Sequence, residues 1–310
     1  MTTQETLKIG TRGSPLALAQ AYETRDRLSK AHPSLSRDGA IEIVIINTTG
    51  DQIQDRPLAE VGGKGLFSKE LDRALVAGEI DLAAHSMKDL ETWMPEGIVI
   101  AATLEREDPR DALVSNGNKT LTELPAGSVI GSASLRRQAQ LLNMRPDLKV
   151  VLIRGNVQTR LRKLKEGAVD ATFLALAGLN RLNMADVVSE VIEPDVLLPA
   201  AAQGAIGITC RESDTRVAGL LEAINHPETA TRITAERSML AALDGSCQTP
   251  IGALATIEQD GQLLLKGLVA KADGTEVLTT ERRGDAAAAE ALGRDAGEEL
   301  KRRADPSIFE

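Results

Sequence analysis

The chain has 310 residues, 42% of them hydrophobic and 26% charged, with a net charge of −9. At roughly 150 residues per domain that allows two or three cores, and no apolar run nears the ~20 residues that span a bilayer. Two cysteines, three dispersed histidines and 2% aromatic residues argue against a disulfide scaffold, a metal centre and a base-stacking nucleic-acid protein. The opening MTTQETLKIG has no basic region followed by an apolar stretch, so a cytoplasmic protein is expected.

Strand-like and helix-like segments alternate, the mark of an α/β fold. Leu7 to Gly10 reads as a strand, and a helix follows from Pro15 with Ser14 as its cap. Ile41 to Asn47 reads as a buried strand, Leu66 to Val76 as a helix stopped by Gly78, and Ile80 to Ala84 as the next strand. EREDPRDALVS, from Glu105, reads as a crossover. Then come strand Val129-Ile130, helix LRRQAQLLNM, strand Val150 to Ile153, helix Val157 to Lys165 and strand Val169 to Leu176. Gly78-Glu79-Ile80-Asp81-Leu82 echoes Gly167-Ala168-Val169-Asp170-Ala171, and Gly13-Ser14 echoes Gly131-Ser132, which suggests a duplicated unit. LLPAAAQGAIGIT (Leu197 to Thr209) would return the chain to the first domain. A helix from about His226, a hairpin turning at Asp260-Gly261 and a final helix from about Ala286 to Arg303 complete a small α+β domain.

Charge is unevenly spread. Nine basic residues and one acid between Ile130 and Lys165 give that stretch +8, leaving −17 elsewhere. Arg12, Arg136 with Arg137, and Arg154 each follow a strand beside a Gly- or Ser-bearing helix start. Ligands of open α/β sheets bind beyond the carboxyl ends of strands, and arginine forks fit carboxylates. With no Walker A motif, carboxylate is favoured over nucleotide phosphate. Asp89, beside Lys88 just past a strand, suits either a helix cap or stabilisation of substrate positive charge. His85 reads as a core or supporting histidine, Cys210 as structural, and Cys247 as a loop thiol.

Taken in order, these motifs resemble the porphobilinogen deaminase, or hydroxymethylbilane synthase, family. They are TRGSPLALAQ from Thr11, VGGKGLF from Val61, HSMKD from His85, SLRR from Ser134, RGNV with Thr159-Arg160, QGA from Gln203 and GSCQ from Gly245 with Pro250-Ile251-Gly252. The resemblance runs collinearly from residue 8 to about residue 255. It implies two α/β domains like those of type II periplasmic binding proteins plus a small α+β C-terminal domain. Their boundaries would be 1–104 with 200–222, then 105–199, then 223–310. It implies that four porphobilinogen molecules are joined head to tail, with loss of ammonia, into hydroxymethylbilane for heme and porphyrin biosynthesis. It further implies a dipyrromethane cofactor held by a thioether to Cys247, Asp89 as the catalytic residue, and no metal. Cofactor contacts would fall on Lys88, Asp89, Ser134, Arg136, Arg137 and Arg154, and substrate contacts on Arg12, Ser14, Lys64, Arg154 and Arg160. The expected protein is a monomer without nucleic-acid or membrane partners.

Some positions depart from the family pattern. Leu90-Glu91 replaces Val-Pro after Asp89, Ser246 stands where glycine is common, and Ala202 replaces the first glycine of Gly-Gln-Gly. A two-lobed solute-binding or sensor module is the alternative reading, but such a module needs neither Cys247 nor Asp89.

Overall fold

The computed structural model describes residues 6–52, 65–244 and 249–308. The described residues fall into two compact units. One holds those up to 106 together with 205–230; the other holds 107–204 and those from 231 onward.

The chain first lays down β1 (Leu7–Thr11), β2 (Ile41–Ile45), β3 (Leu82–Ser86) and β4 (Ile98–Thr103). It then leaves to make β5 (Asp111–Ser115), β6 (Val129–Gly131), β7 (Lys149–Val151), β8 (Ala171–Ala175) and β9 (Glu190–Ile192), and returns with β10 (Ile206–Arg211). The first sheet has the order β2-β1-β3-β10-β4 and the second β7-β6-β8-β5-β9. In each, the central three strands include one antiparallel member: β10 against β3 and β4, and β5 against β8 and β9. The remaining neighbours run parallel. Order and sense therefore match strand for strand, so the duplication suggested by the glycine echoes is a duplication of topology. The matching serines are Ser14 and Ser134, which cap the helices Pro15–Ala31 and Leu135–Met144 by accepting from Ala17 N and Arg137 N. Ser132 instead accepts from Ser134 N at 3.1 Å.

Period-two alternation places each sheet between two apolar layers. Leu82 and Ala84 face one layer with Leu7, Ile9 and Leu28, while Ala83 faces another with Leu71, Leu75 and Ile80. In the second sheet Leu113, Ile130 and Phe173 share one face, and Ala112, Val114 and Leu174 the other.

Several expectations need correction. Ile41–Ile45 is not a buried strand; it is a sheet edge, and Ile45 is 55% exposed. The helix expected from Leu66 begins at Lys69, after a turn. The third strand covers Leu82–Ser86, not Ile80–Ala84, so Ser86 closes the strand. The supposed crossover after Glu105 contains β5, which opens on a charged residue, Asp111, and was hidden by it.

The C-terminal part pairs β11 (Ile251–Ile257), β12 (Gln262–Ala270) and β13 (Val277–Asp285) as an antiparallel sheet. The helices Pro227–Ala242 and Ala289–Arg303 supply Ala235, Met239, Ala296 and Leu300 to its core. The hairpin turns at Gly261, whose φ is +80°. This sheet also packs on the helix Leu135–Met144: Ala139 shares a core with Leu254 and Leu268. Asn143 Nδ2 donates to Gly274 O at 2.9 Å, and Gln138 Nε2 to Ala272 O at 3.0 Å.

Candidate active site

In the first unit the candidate residues gather at the carboxyl ends of β1 and β3. Gly10, near the end of β1, sits close against Ile80: a Cβ there would lie 2.3 Å from Ile80 Cδ1, which would have to shift. Arg12 follows, with its guanidinium 4.2 Å from the Phe67 ring centroid and 3.8 Å from the Asp89 carboxylate. Because the helix starts only at Lys69, Phe67 lies in the turn before it and serves as the platform for Arg12, a role invisible in the helical periodicity of its segment. Lys88 and Asp89 lie on a single 3-10 turn after β3. Asp89 is about one-third exposed and does not cap a helix. Its contact with Arg12 is longer than a hydrogen bond, so its oxygens are open to a ligand N–H. The Ser14 hydroxyl accepts from Ala17 N at 3.3 Å and keeps its own proton to donate.

His85 is buried on β3 and shares a 3.0 Å hydrogen bond with Thr209 Oγ1. Burial, helped by the Arg12 charge, lowers its pKa to about 4, so the ring is neutral near pH 7 and belongs to the core. Cys210 is fully buried, and burial pushes its thiol up. Both outcomes agree with a structural role.

In the second unit the arginines expected to bind carboxylates have an internal partner. Arg136 and Arg137 are 4% and 5% exposed. Asp111, fully buried, accepts at Oδ1 from Arg137 Nη2 (2.6 Å) and Nε (3.1 Å). Its Oδ2 lies 2.8 Å from Arg136 Nη1. Arg136 Nη1 also donates to Leu198 O, and Arg137 Nη1 to Phe173 O, each at 2.7 Å. Burial alone would raise the Asp111 pKa, but the two guanidiniums hold it well below the usual carboxylate range. Burial lowers the Arg136 pKa, and Asp111 offsets part of that. Two cations against one anion leave +1, and Arg136 Nε is buried with no hydrogen-bond partner among the described residues.

Ser134 caps this helix as Ser14 caps its counterpart. Arg154 is buried at 8% exposure, one residue before Gly155, whose φ of +119° turns the chain into the next helix. Arg160 Nε donates to Gly155 O at 2.9 Å, and Asn156 caps the helix. The +8 stretch is less basic in space than in sequence. Asp111, which lies outside that stretch, neutralises part of it. Lys64 and Cys247 lie outside the described residues.

Asp111 is the residue that sequence reasoning missed. It sits two positions past Pro109 among five charged neighbours, and nothing in the pattern separates it from Asp108. Only the pairing of β5 with β8, which sets Asp111 opposite Ala175, brings it to the arginines.

Comparison with known proteins gives a consistent result. Residues 7–219 match the family model "Porphobilinogen deaminase, dipyromethane cofactor binding domain", and residues 230–302 match "Porphobilinogen deaminase, C-terminal domain". A chloroplastic porphobilinogen deaminase of Oryza sativa is 56% identical, covering 98% of this chain and 86% of its own. The porphobilinogen deaminase of Paracoccus denitrificans is also 56% identical, covering 99% and 97%. Among solved structures, an arginine-specific periplasmic binding protein of Salmonella typhimurium aligns with a TM-score of 0.42 at 15% identity, over 73% of this chain and 94% of that one.

Proposed function

The chain belongs to the porphobilinogen deaminase family, and on that premise we infer that it joins four porphobilinogen molecules head to tail, releasing ammonia, to form hydroxymethylbilane for tetrapyrrole biosynthesis. The observation that carries the chemistry is Asp89: a carboxylate at the end of β3, partly exposed and beside a cation it does not fully engage.

The residues suit a polycarboxylate pyrrole primer. The buried Arg136–Arg137–Asp111 group retains a net positive charge and an unused N–H, which is what a ligand carboxylate needs. Arg154 and Ser134 would hold it with them, Lys88 would neutralise a further carboxylate, and Cys247 would carry the thioether. When bound, the dipyrromethane supplies the nucleophilic pyrrole carbon and the covalent tether. Arg12, Ser14, Lys64, Arg154 and Arg160 would bind the carboxylates of incoming porphobilinogen. Loss of ammonia from porphobilinogen leaves an electron-deficient azafulvene. Asp89 accepts its pyrrole N–H and stabilises the cation by proximity of opposite charge, then takes up the proton released on coupling. The same reading has the chain act in the cytoplasm as a monomer, without nucleic acid or membrane. Among the described residues no helix is long and apolar enough to cross a membrane. It also keeps the three-domain division at 1–104 with 200–222, 105–199 and 223–310, in line with three separate sheets.

Steady-state rates of two variants test the role of Asp89. Asp89→Asn keeps the shape and removes the charge, and should lose at least about 10²-fold in turnover. Asp89→Glu keeps the charge and should retain more activity than Asn, though less than the parent, since a misplacement of ~1 Å can itself cost about 10²-fold. Melting temperatures should stay near the parent value, because Asp89 is partly exposed and caps no helix. An active Asp89→Asn enzyme would overturn the assignment.

A further inference from the structure

We propose that Asp111 is a positioning residue for the primer: it fixes the two buried guanidiniums and sets their charge, so that the pair accepts one carboxylate in one geometry. This rests on the reading above that Arg136 and Arg137 bind ligand carboxylates.

Three constraints meet at Asp111. The first is its place. It opens β5, paired with Ala175 of β8 and Ile192 of β9, so the backbone on both sides is tied into the middle of the sheet. The carboxylate therefore stands at the carboxyl edge of β8, close to the start of the helix that carries both arginines. The second is anchoring at Oδ1, since Oδ2 has the 2.8 Å ion pair with Arg136 and no hydrogen-bond partner among the described residues. Oδ1 accepts from Arg137 Nε and Nη2 and also from Gln203 Nε2 at 3.0 Å, while Gln203 Nε2 is held by Pro109 O at 2.7 Å. Gln203 is fully buried, so the acceptor is fixed from a second segment of chain. The third is charge. Two guanidiniums buried together without a counter-ion would repel each other and go unsolvated, whereas a second carboxylate would leave no charge for a ligand. One aspartate leaves +1.

Each arginine also has a backbone anchor, Leu198 O for Arg136 and Phe173 O for Arg137. Asp111 is the only group among the described residues recorded in contact with both. It acts on the ligand through the arginines and is not itself a catalytic residue.

The test uses full-length protein: intact mass for bound dipyrromethane, circular dichroism for folding, and KM and kcat for porphobilinogen. Asp111→Glu keeps the charge and moves it by one methylene. It should fold with the parent spectrum and carry dipyrromethane on at most about a tenth of the molecules, given that a shift of ~1 Å can cost up to about 10²-fold. Its loaded fraction should keep kcat and KM within about threefold, because Asp89 and the residues assigned to porphobilinogen are untouched. Asp111→Asn should load less still where it folds; if it does not fold, Asp111→Glu decides. A purely structural aspartate would lower the melting temperature and leave loading at the parent value, and that result overturns the proposal. Arg136→Leu and Arg137→Leu run in parallel. If they load normally, the carboxylate-binding reading fails and takes Asp111 with it. If they do not load but Asp111→Glu does, the reading stands and only the role of Asp111 falls.

Discussion

His85 and Asp72 are both buried, and each titrates against its surroundings in the opposite sense. Burial lowers the His85 pKa from 6.5 to about 4. The unfolded chain then binds the extra proton first, so the contribution of His85 to stability is lost as pH falls from about 6.5 to about 4. Burial, with the charges of Glu91 and Glu70, raises the Asp72 pKa from 3.8 to about 6. Here the folded form binds the proton first, so stability falls as pH rises from about 4 to about 6. Each shift is worth about 3 kcal/mol at 1.36 kcal/mol per pKa unit, so over this window the two slopes nearly cancel. Urea unfolding of two variants separates them. Relative to the parent, His85→Gln should become less stable from pH 4 to 6, and Asp72→Asn more stable. Variants whose pH profiles parallel the parent would show that neither group titrates as placed. At this scale the legible residues were those next to a glycine turn or a strand end, such as Arg12 and Asp89. Asp111, known only by its strand partners, was not.

At the scale of elements, the segment from Pro199 to Gly204 shows how a backbone requirement outlives a change of residue. Ala202 adopts φ +61° and is buried, so this position demands the left-handed region even though glycine is absent. Its amide donates to Glu236 Oε2 at 2.5 Å, and Glu236 Oε1 accepts from Ala255 N of β11 at 2.7 Å. Gly204 is more constrained. Its φ is +93°, a Cβ would lie 2.3 Å from Glu107 O, and its carbonyl accepts from Glu107 N and from Arg181 Nη1 at 3.0 Å. Ala202→Gly should change stability by less than about 1 kcal/mol, since relief of strain is offset by lost methyl burial and greater freedom of the unfolded chain. Gly204→Ala should cost more than about 2 kcal/mol, because strain and a backbone clash add. Chemical denaturation measures both, and a neutral Gly204→Ala would contradict the close approach. Helices such as Leu135–Met144 and Val157–Lys165 were legible to the residue, because Ser134 or Asn156 caps the start and Arg145-Pro146 or Gly167 closes the end. The short strands β4, β5 and β9 were not, since a strand of three to six residues in a paired sheet needs little pattern of its own.

At the scale of the whole molecule, the two sheets share one strand order but not one chemistry. Aligning β3 with β8 by their partners on β1 and β6 puts Gly178 where the first sheet has Asp89, and Ala177 where it has Lys88. The carboxylate proposed for catalysis thus belongs to one copy of the topology and the buried arginine pair to the other. The chain order of the strands has another consequence, for the protein as it is made. β4 pairs only with β10, and β10 also covers β3. The second sheet needs nothing beyond Ile192. During synthesis, therefore, the sheet that is translated first must wait for the one translated second. A chain that has emerged as far as residue 204 has a complete second sheet and an orphaned β4. Truncated, released chains ending at 204 should resist protease between 111 and 192 yet be cut between 82 and 103, and extension through Arg211 should protect both. Protection of 82–103 in the shorter chain would refute this order. The reversal exposes the apolar strands of the first sheet to solvent, and to chaperones, for the time that about a hundred residues take to translate, roughly 5–20 s at 5–20 residues per second.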